Sequence, residues 1–260
     1  MAKTRVLVKI GGSLAEDRRA LSELCSALAE FSRSGADLAL VHGGGKEINR
    51  NLELLAEKPR FEGGLRVTDE PAMKMVEMTL SGWVNKELVR LLLGEGCRAV
   101  GISGVDGGQF VARKRGGTPD LGRVGKIVSA DGALVEHLWA GGWLPVVSPV
   151  SNDDERRPLN INADEAASAL AVALKADRLL FVSDVPGVMR DGETIPELDE
   201  AKIAKLVEEG VISGGMIPKT RSCLEGIAAG IGEVHICGWN GRDGFLDQLS
   251  GARNRGTIIR

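Results

Sequence analysis

Hydrophobic residues follow two alternating patterns along the chain. Short runs rich in branched apolar residues are typical of buried strands, and they occupy residues 5–10, 38–42, 98–102, 144–148, 178–183 and 233–237. Between these runs, apolar residues recur at helical spacing. Helices are predicted from about Leu14 to Gly35 and from the glycines at 43–45 to about Ala56. Further helices are predicted at about residues 70–95, 131–141, 163–175, 199–209 and 216–229. Because parallel strands are joined through crossover helices, the alternation predicts an α/β fold with helices on both faces of a mostly parallel sheet.

One segment has a different pattern. Residues 109–113 and 123–128 alternate apolar with polar side chains around a loop that contains glycine and proline, which predicts a half-exposed β-hairpin. Residues 151–158 are polar and predict a loop, and residues 256–259 predict a short final strand.

No linker rich in Ser and Pro divides the chain, so a boundary between two lobes is placed only loosely, near Lys175. This gives an N-terminal lobe of residues 1–175 and a C-terminal lobe of residues 176–260.

The composition is that of a folded protein. Of the 260 residues, 43% are hydrophobic and 27% are charged, which excludes disordered and collagen-like chains. The formal net charge is −3 and no basic block occurs, so nucleic acid is not an expected partner. Four separated cysteines and three isolated histidines predict neither a disulfide framework nor a zinc or other metal site, and the thiols are expected to be buried. The first residues show no basic n-region followed by a long apolar stretch, and no apolar run reaches the roughly 18 residues that a membrane span needs, so we expect a cytoplasmic protein.

Three glycine-rich turns each precede a predicted helix, at residues 9–13, 41–46 and 213–219. Glycine lets the backbone approach a ligand, and the start of a helix offers unpaired N–H groups and a partial positive charge, which suits a phosphate or a carboxylate. In open parallel sheets, ligands bind outside the carboxyl ends of the strands, where such turns lie. The G-x-x-x-x-G-K-S/T and G-x-G-x-x-G motifs are absent, which disfavours a P-loop NTPase and a standard dinucleotide enzyme.

Four charged residues are candidates for chemistry. Lys9 lies near the end of an apolar strand, where its charge is costly unless it meets an anion or lies at an edge in solvent. Lys219 falls in the first turn of a predicted helix, where the helix dipole disfavours a cation unless an anion compensates it. Asp164 suits a helix start that Asn162 would cap, which is sufficient reason for its presence without a catalytic role. Arg66, in a glycine loop, is suited to gripping a carboxylate with two hydrogen bonds, or is a surface arginine.

Six short motifs occur in order along nearly the whole chain: K-I-G-G at residues 9–12, V-H-G-G-G at 41–45, G-L-R-V-T at 64–68, N-I-N-A-D at 160–164, S-D-V-P-G-V at 183–188 and G-G-M-I-P-K at 214–219. Together they resemble the amino acid kinase family, and within it the branch that acts on N-acetylglutamate. The resemblance implies a three-layer αβα sandwich whose N-terminal lobe binds the acyl amino acid and forms a dimer, and whose C-terminal lobe binds ATP. The implied reaction is ATP-dependent phosphorylation of the γ-carboxylate of N-acetyl-L-glutamate in arginine biosynthesis.

The resemblance also implies a role for each matching residue. Lys9 and Lys219 would stabilise charge on the transferring phosphoryl group, and Asp164 would orient both lysines. The acyl amino acid would be bound by Gly44, Gly45, Arg66 and Asn160. The nucleotide would lie against Gly11, Gly12, Asp184, Val185, Pro186, Gly187, Val188, Met189, Val211, Ile212 and Ser213. Mg²⁺ would be carried on the ATP phosphates.

Two departures from the family pattern bear on the substrate turn and on regulation. Lys46 stands where the family often has proline, which alters the entry to the helix and the charge beside the substrate. Arginine-inhibited members resemble hexamers held by an extra N-terminal helix, and only about four residues precede the first strand here. We therefore expect a homodimer that arginine does not inhibit.

Two other functions stay open at this stage. Residues 103–107, 110–113 and 256–260 also look similar to kinases of carrier-protein-linked α-aminoadipate in lysine biosynthesis, although Arg66 and Pro218 argue against that substrate. A catalytically silent sensor of acyl amino acids would keep the fold without the chemistry. The presence of both lysines and the aspartate argues against a silent sensor.

Overall fold

The computed structural model describes residues 3–11, 14 and 17–260. Numbered along the chain, the strands are β1 (Arg5–Ile10), β2 (Asp37–His42), β3 (Phe61–Glu62), β4 (Leu65–Arg66), β5 (Ala99–Ser103), β6 (Phe110–Lys114), β7 (Gly125–Ala130), β8 (Leu144–Ser148), β9 (Val150–Asn152), β10 (Pro158–Asn160), β11 (Arg178–Ser183), β12 (Met189–Arg190), β13 (Glu193–Thr194), β14 (Glu197–Leu198), β15 (Glu233–Gly238) and β16 (Thr257–Ile259). The α-helices are α1 (Arg18–Arg33), α2 (Gly45–Leu54), α3 (Glu70–Glu77), α4 (Asn85–Gly94), α5 (Ala133–Ala140), α6 (Ala163–Ala173), α7 (Glu200–Glu208), α8 (Met216–Ala228) and α9 (Arg242–Ser250).

The largest sheet within the described residues has eight strands, in the order β14-β16-β15-β11-β1-β2-β8-β5. Paired neighbours run parallel except that β16 is antiparallel to β15, which confirms the mostly parallel sheet expected from the sequence. In the middle of this sheet, Lys9 of β1 lies opposite Val41 of β2 and Phe181 of β11.

Apolar side chains on the two faces of this sheet form two separate cores, so the fold has three layers. On one face, Val6 and Val8 pack with α1, α4 and α9. On the other face, Leu7 packs with α5, α6, α7 and α8. Successive side chains of a strand point to opposite faces, so Lys9 shares the face of Leu7 and α6. The αβα sandwich is therefore confirmed.

Side-chain caps define where two of the helices begin. The Asp17 carboxylate accepts hydrogen bonds from the N–H groups of Arg19 and Ala20, so α1 begins at Arg18. The prediction that this helix includes Leu14 is wrong by about one turn. The Asn162 side chain accepts hydrogen bonds from the N–H groups of Asp164 and Glu165, which confirms the predicted cap of α6.

The predicted hairpin is present, but its surroundings differ from the expectation. β6 and β7 pair antiparallel, and β9 and β10 add to them, giving a second sheet in the order β10-β9-β6-β7. The predicted loop over residues 151–158 is therefore shorter than expected, because 151–152 belong to β9 and 158 belongs to β10, which leaves residues 153–157 as the loop. Its polar residues form a tight turn between two short strands, in which Asp153 accepts the N–H groups of Glu155 and Arg157 and pairs with the buried Arg123 at 2.9 Å.

Two helical segments also differ from the sequence pattern. The predicted helix over residues 70–95 contains a π-helical segment, Met78–Val84, that joins α3 directly to α4. Helix α9 was not predicted, because it is short and only two of its apolar residues, Phe245 and Leu249, are fully buried, with Leu246 packed partly buried beside them in a polar stretch.

The described residues contain no helix that is both long and apolar enough to span a membrane. The four cysteines are free and buried. Burial raises the pKa of Cys25, Cys223 and Cys237 to about 12, and it also raises that of Cys97. The division into lobes near Lys175 stays a prediction, and the main sheet is continuous across it because β11 pairs with β1.

Candidate active site

The glycine turns that follow β1 and β2 lie at one edge of the sheet, because the strands are parallel neighbours. The turn after β11, which begins at Asp184, lies at the same edge for the same reason. Gly43, after β2, is close to the start of α6, since a Cβ on Gly43 would touch Ala163. This edge therefore brings together residues that are far apart in the sequence, such as Gly11 and Asp184.

A carboxylate between two ammonium groups occupies this edge. Asp164 Oδ1 lies 2.8 Å from Lys9 Nζ, and Asp164 Oδ2 lies 4.0 Å from Lys219 Nζ. Lys9 thus meets an anion and does not lie at a solvent edge, where the alternative interpretation put it. Lys219 reaches the cluster from the first turns of α8, with its Nζ 5.8 Å from the Phe181 ring centroid.

The electrostatics of the cluster keep Asp164 ionised. Burial of the Asp164 carboxyl raises its pKa, but attraction to Lys9 and Lys219 outweighs burial and lowers the pKa below the ordinary value. A half-buried carboxylate can therefore hold two ammonium groups close together, an arrangement that suits an incoming phosphate.

Gly11 makes room for one of these ammonium groups. A Cβ at this position would collide with the Nζ of Lys9, so the lysine side chain lies directly along the Gly11 backbone. Gly12, the other glycine predicted to contact the nucleotide phosphates, lies outside the described residues.

A cavity of about 290 Å³ lies beside the cluster, between the β2–α2 turn, α4 and the β3–β4 hairpin. Gly44, Gly45 and Arg66, all predicted to bind the acyl amino acid, line it, and so does Lys46. Gly44 is packed against the π-helical segment, because a Cβ there would meet Leu80 and Val84. The π-helical segment therefore leaves no room for a side chain at Gly44, and the backbone of the glycine turn lies close against it.

Arg66 is 7% exposed, so the alternative of a surface arginine is wrong. Its Nη2 donates to the carbonyl oxygen of Gly45 at 2.8 Å, and its guanidinium lies over the Phe61 ring, 4.7 Å from the centroid. Nη1 is buried and has no hydrogen-bond partner among the residues that the structure describes, and burial lowers the Arg66 pKa. An unpaired buried guanidinium N–H is costly, which makes a carboxylate ligand at this position favourable.

Asn160 does not belong to the lining of this cavity as the structure has it. Its Nδ2 donates to Thr68 Oγ1 at 3.1 Å, and Thr68 Oγ1 donates to the carbonyl oxygen of Arg66 at 2.8 Å. Asn160 is therefore connected to the backbone that carries Arg66.

The residues predicted to bind the nucleotide form two segments, 184–189 after β11 and 211–213 before α8. The side chains of Val188 and Ile212 are in the core, so any contact of these two with a nucleotide comes from the backbone. Val185 and Met189 are each 37% exposed. The Val188 N–H donates to Thr257 Oγ1 at 2.8 Å, which ties the first segment to the last strand.

Sequence reasoning missed two buried polar residues at the cavity. His42 lies among the lining residues, and Asn85 contacts it from α4. The histidine within V-H-G-G-G was the available signal, whereas Asn85 is hidden in a helical pattern.

Comparisons with known proteins show the family of the chain. A model of the amino acid kinase family matches residues 4–238. The chain belongs to the amino acid kinase family. Acetylglutamate kinase of Pseudothermotoga lettingae is 39% identical over 254 residues, which cover 98% of this chain and 91% of that protein. Acetylglutamate kinase of Rubrobacter xylanophilus is 42% identical over 255 residues, which cover 98% of this chain and 96% of that protein.

Solved structures place this amino acid kinase family member among proteins of the same fold. The smu.665 protein of Streptococcus mutans UA159 superposes with a TM-score of 0.82 at 28% identity, covering 98% of this chain and 97% of that one. Carbamate kinase of Giardia superposes with a TM-score of 0.72 at 17% identity, covering 99% of both chains, and shows the fold alone. The protein is a kinase, and the family implies that it uses ATP.

Proposed function

We propose that this protein transfers the γ-phosphoryl group of ATP to the γ-carboxylate of N-acetyl-L-glutamate, forming N-acetyl-L-glutamyl 5-phosphate in arginine biosynthesis. The observation that carries the proposal is the carboxylate of Asp164 between the ammonium groups of Lys9 and Lys219. Beside this cluster lies a cavity lined by Arg66, whose Nη1 has no hydrogen-bond partner among the described residues. Relatives named acetylglutamate kinase match nearly the whole chain at 39% and 42% identity and support the choice of substrate.

The chemistry needs alignment and charge neutralisation more than it needs a base. A carboxylate nucleophile is already ionised at neutral pH, so no side chain has to remove a proton from it. Its oxygen bonds to the γ-phosphorus as the bond between that phosphorus and the ADP oxygen breaks. Lys9 and Lys219 neutralise the charge on the phosphoryl oxygens, and Asp164 holds both lysines in position.

The cavity binds the acceptor. Arg66 grips the α-carboxylate through the N–H that has no partner within the described residues, and Asn160 supports this side of the pocket from outside its lining, through Thr68. The backbone N–H groups of Gly44 and Gly45, at the start of α2, hold the γ-carboxylate.

The C-terminal lobe, residues 176–260, binds ATP, and the N-terminal lobe, residues 1–175, binds the acyl amino acid. The adenosine and phosphates lie against residues 184–189 and 211–213 and against Gly11 and Gly12. Both oxygens of Asp164 face ammonium groups, so we assign Asp164 no metal ligation. When bound with ATP, Mg²⁺ would supply further charge neutralisation, as is usual for this ion with nucleotide substrates.

We also propose that the protein is a cytoplasmic homodimer formed through the N-terminal lobe. Three large apolar side chains, Met78, Trp83 and Leu93, are 67%, 56% and 51% exposed along the segment from α3 to α4, as is typical of an interaction surface. Size-exclusion chromatography with light scattering should give the mass of two chains. A monomer, a hexamer, or inhibition by arginine would contradict this part of the proposal.

A hydroxamate assay tests the reaction and the substrate together. Hydroxylamine traps an acyl phosphate as a hydroxamate, so product forms only where a carboxylate has been phosphorylated. The panel should include N-acetyl derivatives of glutamate, aspartate and α-aminoadipate, and carrier-bound α-aminoadipate. We expect ATP-dependent product with the highest kcat/KM on N-acetylglutamate. Preference for the carrier-bound substrate would replace the proposed substrate, and binding without product would indicate a sensor.

A further inference from the structure

Two buried polar side chains at the base of the cavity have no role in the mechanism above. His42, the last residue of β2, is 1% exposed, and Asn85, the first residue of α4, is 0% exposed. His42 Nε2 lies 3.1 Å from Asn85 Nδ2. Burying such a pair is costly unless each donor faces an acceptor, so the direction of each hydrogen bond can be worked out.

The direction is determined by groups that can only donate or only accept. Lys86 Nζ only donates and lies 2.9 Å from the side-chain Oδ1 of Asn85, which fixes that atom as the oxygen. Asn85 Nδ2 then faces the carbonyl oxygen of Val146 at 2.9 Å, which only accepts. The contacts with Lys86 and with Val146 both identify Nδ2 as the donor. The Nε2 of His42 therefore accepts and carries no proton.

His42 must then carry its single proton on Nδ1. This atom lies 2.9 Å from the carbonyl oxygen of Gly43 and donates to it. Burial disfavours the charged ring, and together with the ammonium groups of Lys86 and Lys9 it outweighs the bond to Gly43 and lowers the His42 pKa to about 4. The ring is neutral at neutral pH.

The hydrogen bond to Gly43 fixes a peptide plane. In a planar trans peptide, the C=O and the following N–H point in opposite directions. Holding the Gly43 oxygen against the His42 ring therefore turns the Gly44 N–H away from the ring. Among the residues that the structure describes, no backbone acceptor is bonded to this N–H, and Gly44 lines the cavity at the start of α2.

We propose that His42 and Asn85 are positioning residues that orient the peptide between Gly43 and Gly44, so that the Gly44 N–H donates to the anion bound in the cavity. The identity of that anion, the γ-carboxylate of the acyl amino acid, rests on the proposed function. The orientation of the peptide does not depend on it. Lys86 contributes indirectly, by fixing the amide of Asn85.

Nitrogen NMR on the wild-type protein tests the assignment without any activity measurement. The chain contains three histidines, and a sample of His42→Asn identifies the His42 signals by their absence. At pH 7 and without substrate, we expect one unprotonated nitrogen, Nε2, and a proton on Nδ1. A proton on Nε2, or a charged ring, would overturn the proposal whether or not the protein phosphorylates N-acetylglutamate.

A pair of variants tests the consequence for catalysis. The amide nitrogen of Asn can take the place of His Nδ1, and that of Gln can take the place of Nε2. His42→Asn therefore keeps a donor to Gly43, whereas His42→Gln loses it. We expect His42→Gln to lower kcat by about 10- to 100-fold and His42→Asn to keep at least about a third of it, with KM for ATP little changed in both. Equal losses in the two variants would contradict a role through Gly43.

A matched control comes from the other well-buried histidine. His235 is 2% exposed, bonds Gln248 and Glu233, and does not line the cavity. His235→Asn and His235→Gln should both keep kcat within about twofold, with any loss confined to the free energy of unfolding. A wild-type protein with the expected His42 proton but no turnover of N-acetylglutamate would refute the proposed function and leave the peptide orientation standing. If the His42 variants do not fold, samples of His137→Asn and His235→Asn identify the signals of the other two histidines, the remaining signals belong to His42, and the NMR result decides alone.

Discussion

Removing the charge of Asp164 is the most direct perturbation of the candidate site. Asp164→Asn keeps the size and planar shape of the side chain and leaves two ammonium groups without their shared anion. The carboxylate lies 2.8 Å from Lys9 Nζ and 4.0 Å from Lys219 Nζ. Because the lysines would no longer be held for phosphoryl transfer, we expect kcat to fall by about 10²- to 10³-fold, or about 3–4 kcal/mol.

The same distances set the scale of the effect on stability. With an effective dielectric constant of about 20, the attraction is about 6 kcal/mol at 2.8 Å and about 4 kcal/mol at 4.0 Å. The lysine side chains are 12% and 19% exposed and that of Asp164 is 34% exposed, so water screens part of this attraction. The desolvation of three charges offsets most of the remainder. We therefore expect Asp164→Asn to lower the free energy of unfolding by only about 1–3 kcal/mol.

Kinetics and unfolding measured on the same samples separate the two effects. Steady-state ADP release gives kcat and KM, and urea unfolding gives the free energy. KM for ATP should be unchanged or lower, because a negative charge beside the phosphate site has been removed. The matched control is Glu165→Gln in the same first turn of α6, where the carboxylate bonds Arg115 Nη2 at 3.0 Å and the Ile127 N–H at 2.7 Å.

The control variant should lose stability and keep kcat within about threefold of the wild type. If Asp164→Asn also keeps kcat within about threefold, Asp164 serves only the helix start. That result would refute the reasoning.

Acidity provides a second measure of the Asp164 interaction. The Asp164 pKa is raised by burial but lowered more by Lys9 and Lys219, so in the folded protein it lies below its unfolded value of about 3.9. A depressed carboxyl pKa contributes stability in full above the unfolded pKa and loses it as pH falls through the folded one. The difference in unfolding free energy between wild type and Asp164→Asn should thus be constant near neutral pH and shrink below about pH 4. An unchanged difference in urea titrations at pH 3 would contradict this.

Three further substitutions test neighbouring parts of the site. Lys219→Ala should abolish turnover yet leave N-acetylglutamate binding, measured by calorimetry, nearly intact, and unchanged turnover would remove its assigned role. Arg66→Lys should raise KM for N-acetylglutamate by about 10- to 100-fold through loss of the two-pronged grip, and an unchanged KM would place the α-carboxylate elsewhere. Gly11→Ala should displace the Lys9 ammonium, so we expect kcat to fall at least about tenfold with a melting temperature near that of the wild type.

Long, continuous patterns could be predicted from the sequence. β1 and β11 are six-residue apolar runs with clear boundaries, and their predicted limits match the structure. β9 and β10 have three residues each, too few for a period to show, and their turn depends on a pair between Asp153 and Arg123, 30 positions apart. The π-helical segment was equally hidden, since one extra residue per turn barely changes a helical pattern.

The candidate site, like the fold, could be predicted only in part from the sequence. A lysine in an apolar strand predicts a nearby anion, and the structure supplies Asp164 as that anion for Lys9. The burial of Arg66 could not be predicted from its glycine loop, because it depends on the Phe61 ring and the Gly45 carbonyl. The contact between His42 and Asn85, 43 positions apart, arises only when β2 and α4 pack together.

The buried thiols described above make the native chain ready for site-specific labelling. A thiol reacts with maleimide as its thiolate, and a pKa of about 12 leaves almost none at neutral pH for Cys25, Cys223 and Cys237. The Cys97 thiol is buried with a raised pKa as well. One cysteine placed on the surface of each proposed lobe would therefore take up a fluorophore pair selectively, so energy transfer could report the distance between the two lobes with and without substrates, without first replacing the protein's own cysteines.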